Sequence, residues 1–309
     1  VAETLLAIEH LRVDFPEVVA VDDLCLTVDA GEVCGLIGPN GAGKTTTMRA
    51  IAGLQPTTRG EVTLCGTTVA RDPRAFKRRL GFMSDSVPVY EQLTTLEFLD
   101  HFARAFSVGH RERRVAECLA LAKLTEKATA LCTELSRGMK QRLVLAKTLL
   151  ADPAVLLLDE PASGLDPLGR IELRELLLQL RDAGKAILVS SHILTELSSF
   201  CNKAAIMERG RLVAFGTIAE LAQRRERRRV SLKWRSDGER ALEILRNDPN
   251  VRRIVQNAGG VLLDFEGSTE ALDGLLATLV EQKIRIAEWR SAEDDLEAIF
   301  LETGAKDLA

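Results

Sequence analysis

At 309 residues the chain is long for one hydrophobic core, so two domains are expected. Its 46% hydrophobic and 28% charged residues match a soluble globular protein, and a net charge of −4 excludes non-specific nucleic-acid binding as the main task, which needs a broad basic face. No apolar run approaches the ~18–20 residues of a membrane-crossing helix, and Val1 to His10 has no basic segment leading into an apolar core, so neither a span nor a signal peptide is expected. Aromatic residues are few, which leaves Leu, Val, Ile and Ala to build the core. Cys25, Cys34, Cys65, Cys118, Cys132 and Cys201 form no C-x-x-C pair and are expected as reduced, buried hydrophobes of a cytosolic protein.

Strand composition opens the chain at 5–13 and 24–28, with Phe15 in the loop between. An aromatic there either fills the core or stacks on a planar ligand. A short apolar strand, 33–37, then runs into Gly38-Pro39-Asn40-Gly41-Ala42-Gly43-Lys44-Thr45-Thr46 and a helix over 46–52 stopped by Gly53. This is G-x-x-x-x-G-K-[ST] in its required strand–loop–helix setting. Glycines let backbone N–H groups turn inward to form a nest for phosphate oxygens at a helix start. Lys44 adds positive charge near the β- and γ-phosphates, and the Thr45 hydroxyl is a Mg²⁺ ligand. The loop specifies a nucleoside triphosphate, expected with Mg²⁺.

A strand at 60–66 precedes a basic helix begun by Asp72-Pro73, and a buried strand at 80–84 ends at Asp85. The helix 95–105 is read with Leu96, Leu99, Phe102, Ala103 and Phe106 on its core face, and a second, 111–124, with Val115, Leu119 and Ala122 inward. Leu135-Ser136-Arg137-Gly138-Met139-Lys140-Gln141-Arg142 starts another helix, capped by Ser136 and left open at Gly138. Such a start is either an ordinary cap or an anion-binding surface.

The continuous apolar run 155–158 reads as a central parallel strand buried on both faces, ending in Asp159-Glu160-Pro161. Adjacent carboxylates at such a strand end are costly unless they hold a cation or do chemistry. Asp159 is suited to Mg²⁺, and Glu160, pointing elsewhere, to polarising a water against the γ-phosphate. Ser163 to Pro167 turns into a helix capped by Asp166. A strand at 186–191 carries His192 at its end, as a catalytic or merely surface histidine. A hairpin around 208–211 and a capping box at Thr217 close this part.

Gly38 to Thr46, Leu135 to Arg142, Leu156 to Pro161, Ser163 to Asp166 and His192, in this order, resemble the ATP-binding cassette of ABC transporters over about residues 3–222. The resemblance implies an α/β P-loop fold: a parallel core sheet, an antiparallel β subdomain and a helical subdomain. It implies two cassettes closed head to tail as a homodimer, each ATP lying between Gly38–Thr46 of one copy and Ser136–Gly138 of the other. Glu160 resembles the general base, His192 and Lys44 the γ-phosphate contacts, Asp166 the residue that signals across the dimer, and Phe15 the aromatic on adenine. Asp85 stands where the family usually has a glutamine that contacts Mg²⁺. Arg137 and Met139 depart from Leu-Ser-Gly-Gly-Gln. Both departures resemble type-2 exporter cassettes, whose integral-membrane permease is a separate chain at the cytoplasmic face of the membrane.

The basic run 224–229 is read as a linker (223–229) between the cassette, 1–222, and a second domain, 230–309. Beyond it a β-α-β-β-α-β order predicts a small ferredoxin-like α+β domain, regulatory or dimer-stabilising, followed by a helix capped by Ser291. Two other functions stay open: a soluble mechanical ATPase, which would usually carry paired cassettes or a heptad insertion absent here, and a regulatory module that holds ATP without hydrolysing it.

Overall fold

The computed structural model describes residues 3–86, 88–191, 197–223, 227–257 and 260–291. They divide into two compact units, the first ending at Thr217 and the second beginning at Ile218. The first unit opens with β1 (Thr4–Asp14), β2 (Val19–Asp29), β3 (Val33–Ile37), α1 (Lys44–Ile51), β4 (Arg59–Leu64) and β5 (Thr67–Thr68). Next come α2 (Pro73–Arg79), β6 (Leu80–Met83), α3 (Thr95–Ala105), α4 (Arg111–Leu121) and α5 (Arg137–Leu149). It closes with β7 (Val155–Asp159), α6 (Pro167–Asp182), β8 (Ala186–Ser191), β9 (Lys203–Glu208) and β10 (Arg211–Thr217).

Two sheets share this unit. One has order β2-β1-β4-β5 and is antiparallel. The other has order β10-β9-β3-β8-β7-β6, parallel throughout except for β10. Every residue of β3, β7 and β8 is buried, as continuous apolar runs covered on both faces must be. Since β3, β8 and β7 are parallel neighbours, their carboxyl ends, Ile37, Ser191 and Asp159, lie along one edge of the sheet. Ligands gather at that edge in open α/β sheets.

The helical part is α3, α4 and α5. Helix α3 begins in a capping box: Thr94 Oγ1 accepts from Glu97 N at 3.2 Å, and Thr94 N donates to Glu97 Oε2 at 2.8 Å. Of the expected stripe Leu99 and Ala103 are buried and Phe102 is half-buried, but Leu96 and Phe106 are exposed, and Thr95 and Phe98 join the buried face. Tyr90 and Phe102 stack with ring centroids 5.9 Å apart, and Phe98 meets Phe102 edge to face. Phe98, which the expected stripe left out, is thus buried within an aromatic cluster. All six cysteines are free, yet Cys25 is exposed and Cys65 half-buried, so the expectation of a buried set fails at those two.

The second unit contains α7 (Ile218–Gln223), β11 (Arg227–Ser236), α8 (Gly238–Asn247), β12 (Val251–Asn257), β13 (Gly260–Glu266), α9 (Thr269–Glu281) and β14 (Arg285–Ser291). From β11 on, the order is β-α-β-β-α-β over an antiparallel sheet, β12-β13-β11-β14. Leu232, Leu263 and Phe265 from the sheet pack on Ala241, Leu245, Leu275 and Leu279 from the helices. Arg227 to Arg229 belong to β11, paired with Asp264 to Glu266, rather than to a linker, and α7 goes with this unit rather than with the cassette. The helix expected after Ser291 lies outside the described residues.

Leu157 is fully buried in β7. Leu157→Ala should lower the stability of the first unit by about 2–5 kcal/mol in chemical denaturation. Leu168→Ala, at a position 62% exposed, should change it by less than about 0.5 kcal/mol. Equal effects would contradict the buried central strand.

Candidate nucleotide-binding site

The phosphate loop leaves β3 at Gly38 and enters α1 at Lys44. Its shape is set by close backbone contacts. A Cβ on Gly38 would collide with the carbonyl oxygen of Met207, and one on Gly43 with that of Ala20. Gly43 also holds φ at +102°, a left-handed conformation that glycine adopts without strain. The carbonyl of Ala42 accepts from Gly210 N at 3.0 Å, so the β9–β10 turn braces the loop from behind. Gly41 has nothing within 4 Å of where its Cβ would stand, which leaves the front of the loop open to a bulky anion. The helix starts after Gly43, two residues earlier than its apolar pattern suggests, so the unpaired N–H groups of its first turn include those of Lys44 and Thr45.

Lys44 is buried, and its ammonium donates to the carbonyls of Gly38 at 2.6 Å and Pro39 at 3.1 Å. Burial pushes its pKa down, against the pull of Glu160 and Asp159. The lysine follows β3 and the two carboxylates lie at the end of β7, the strands that flank β8 on either side, so all three lie at the same edge of the sheet. Asn40 is exposed at the loop tip, Ala42 is buried, and Thr45 and Thr46 are half-buried.

Asp159 is 1% exposed. Ser190, its partner in the β7–β8 register, donates its hydroxyl to Asp159 Oδ1 at 2.5 Å. Oδ2 is buried and has no hydrogen-bond partner among the described residues. Such an oxygen is costly unless a cation takes it. The donors fit Mg²⁺, which binds through one or two carboxylates, a hydroxyl such as that of Thr45, phosphate and water rather than an all-protein cage. When bound, that ion neutralises charge on the β- and γ-phosphate oxygens.

Glu160 follows with φ at +51°, a left-handed conformation unusual for a side-chain-bearing residue. Its N–H donates to the carbonyl of Ser190 at 3.2 Å and to Ser190 Oγ at 3.0 Å. One serine thus anchors both acidic residues. Sequence reading missed Ser190, whose place opposite Asp159 is set by the β7–β8 register. His192 lies outside the described residues.

A second set of predicted residues gathers elsewhere in the unit. Ser136 Oγ accepts from Met139 N at 3.3 Å as the cap of α5, and Asp166 Oδ1 accepts from Gly169 N at 3.0 Å as the cap of α6. Ser136, Gly138, Gly164 and Asp166 line an open hollow of about 470 Å³ that includes none of the phosphate-loop residues. Phe15 sits in a tight turn closed by Phe15 N to Val18 O at 2.8 Å, five residues before the Ala20 carbonyl that touches the loop. Its ring is 40% exposed, so it is not a core residue. Asp85 is exposed beyond the end of β6 and accepts from Ser86 N at 2.9 Å.

Residues 21–163 match the ABC transporter family. The chain is 33% identical over 301 residues to the ABC transporter ATP-binding protein YhcH of Bacillus subtilis, covering 97% of this chain and 96% of that protein. It is 38% identical to the Nod factor export ATP-binding protein I of Paraburkholderia xenovorans, over 71% of this chain and 73% of that one. An ABC transporter ATP-binding protein of Synechocystis is 39% identical over 70% of this chain, which spans 62% of that relative's length. A solved ATP-binding subunit of an ABC transporter superposes with a TM-score of 0.65 at 32% identity, covering 70% of this chain and 91% of that one. With the phosphate loop, the paired carboxylates and the capped α5 already in register, the chain belongs to the ATP-binding proteins of ABC transporters.

Proposed function

We propose that this chain hydrolyses ATP as the nucleotide-binding subunit of an exporter whose membrane permease is a separate chain, and that it works head to tail with a second cassette. The observation that carries this reading is the division of the predicted site. Lys44, Asp159 and Glu160 lie at one edge of the parallel sheet and both carboxylates act on the lysine, whereas Ser136, Gly138 and Asp166 line a hollow free of phosphate-loop residues. Two half-sites in one chain are completed by two copies.

In this reading Gly38, Asn40, Gly41, Ala42, Gly43 and Thr46 wrap the phosphates with their backbone and hydroxyl groups, and Lys44 offsets their charge. Thr45 and Asp159 hold Mg²⁺ directly, with Asp85 reaching it through water. Glu160 is the general base for the attacking water, and His192 contacts the γ-phosphate. Ser136 and Gly138 meet the nucleotide held by the partner, Asp166 signals across the pair, and Phe15 stacks on adenine. No helix among the described residues is long and apolar enough to cross a membrane, which agrees with a permease on another chain. A relative named for Nod factor export supports the outward direction. The subunit then sits at the inner face of the membrane, and its second unit regulates or steadies the pair.

Glu160→Gln tests the base and the pairing together. On sizing with ATP the variant should run as a dimer, and its turnover should fall by about 10²–10⁴-fold. A variant that hydrolyses ATP at the wild-type rate contradicts the assignment. Phe15→Ala should weaken ATP binding by about 1–3 kcal/mol, the worth of one base–aromatic stack, with turnover at saturating ATP unchanged. Titration with a fluorescent ATP analogue checks this, and undiminished affinity would return Phe15 to a purely structural part.

A further inference from the structure

We propose that Gln141 is a positioning residue for Glu160, through which the start of α5 governs the hydrolytic site. This inference rests on the reading of Glu160 as the base and of Ser136 as the group that meets the partner's nucleotide.

Gln141 lies on α5 and is 3% exposed. Its Nε2 donates to the carbonyl of Pro161 at 2.5 Å and to that of Glu160 at 3.3 Å. The other end of the amide, Oε1, is buried without a partner among the described residues. A buried acceptor left unmade costs about 1–3 kcal/mol, so the amide is not the most stable occupant of this position. What it provides is a donor, aimed at two carbonyls directly after the base.

The Glu160 carbonyl also accepts from Ser163 N at 3.1 Å, and the peptide is held at its other end as well. On the amino side, Glu160 N–H is held by Ser190. The left-handed φ of Glu160 turns the chain sharply between the two anchors. Pro161 follows with its own φ locked by its ring, so a pull on its carbonyl reaches Glu160 with little slack. Ser190 on one side, with Gln141 and Ser163 on the other, therefore set the direction of the Glu160 side chain.

The second anchor belongs to the helix that Ser136 caps. Gln141 is five residues beyond that cap, about 7.5 Å along a rigid helix. Near the cap, Arg137 packs against Gly164, where an added Cβ would lie 2.5 Å from the Arg137 Nε. A displacement of the α5 start, such as engagement of Ser136 would bring, moves the Gln141 amide and with it the Glu160 carbonyl. Hydrolysis in one site thereby depends on whether the same chain has met its partner's nucleotide.

The test is a double-mutant cycle on the full-length protein. Gln141→Leu and Gln141→Met both remove the donor, and Met keeps the length should Leu not fold. Each is assayed for ATP turnover and MgATP affinity in the wild-type and Glu160→Gln backgrounds. Misplacing a catalytic group by ~1 Å costs about 10²-fold, so kcat should fall about 10- to 100-fold with KM for ATP unchanged. In the Glu160→Gln background the same substitution should slow turnover no further, because it acts through the residue already replaced. Wild-type kcat in a folded Gln141 variant overturns the proposal, as does a loss that multiplies with that of Glu160→Gln. If Glu160→Gln alone leaves turnover intact, the base assignment falls and this inference with it. A collapsed Glu160→Gln rate beside an unaffected Gln141 variant removes only the latter.

Discussion

The cassette is built around a carboxylate that folding alone would not choose. Asp159 is carried to the end of a strand whose every residue is buried, and only one of its oxygens is satisfied, by Ser190. The other faces inward without a partner among the described residues. Burying a charged oxygen without compensation opposes folding, and the packing of β3, β7 and β8 has to carry that load. A proline bounds the next turn, and Glu160 takes up a strained backbone conformation beside it. Stability is spent here on a site that a divalent cation and a triphosphate complete.

The phosphate loop solves the opposite electrostatic problem. Lys44 is held over the loop by two of the loop's own carbonyls, so its charge is in position before any anion arrives. Burial lowers its proton affinity while Asp159 and Glu160 oppose that shift. The loop's tightness comes from what touches its glycines. Ala20 from the antiparallel sheet and Met207 and Gly210 from the hairpin press against it, tying the antiparallel and parallel sheets of the first unit together at one point.

Much of this is legible in the residues because it is local. The strand–loop–helix around Lys44, the caps Asp72, Ser136 and Asp166, and the apolar runs of β3, β7 and β8 each follow from neighbours within a few positions. The failures are tertiary. On α3, Phe98 is buried against Tyr90 and Phe102, which a leucine count does not anticipate. Arg227 to Arg229 look like a solvated boundary but are claimed as strand by the pairing of β11 with β13. Ser190 and Gln141 owe their parts to a strand register and a helix packing, neither of which spacing reveals.

The most direct test is the Mg²⁺ dependence of nucleotide binding in the wild type and in Asp159→Asn, followed as the ATP-induced rise in melting temperature with the ion present or chelated. Ligand at about 100 times its Kd adds about 2.7 kcal/mol to the folded state. In the wild type, Mg²⁺ should increase the stabilisation by ATP, and in Asp159→Asn adding the ion should make little difference. An equal Mg²⁺ response in both proteins would mean that the buried oxygen of Asp159 has no cation to meet, contrary to the account given for this site.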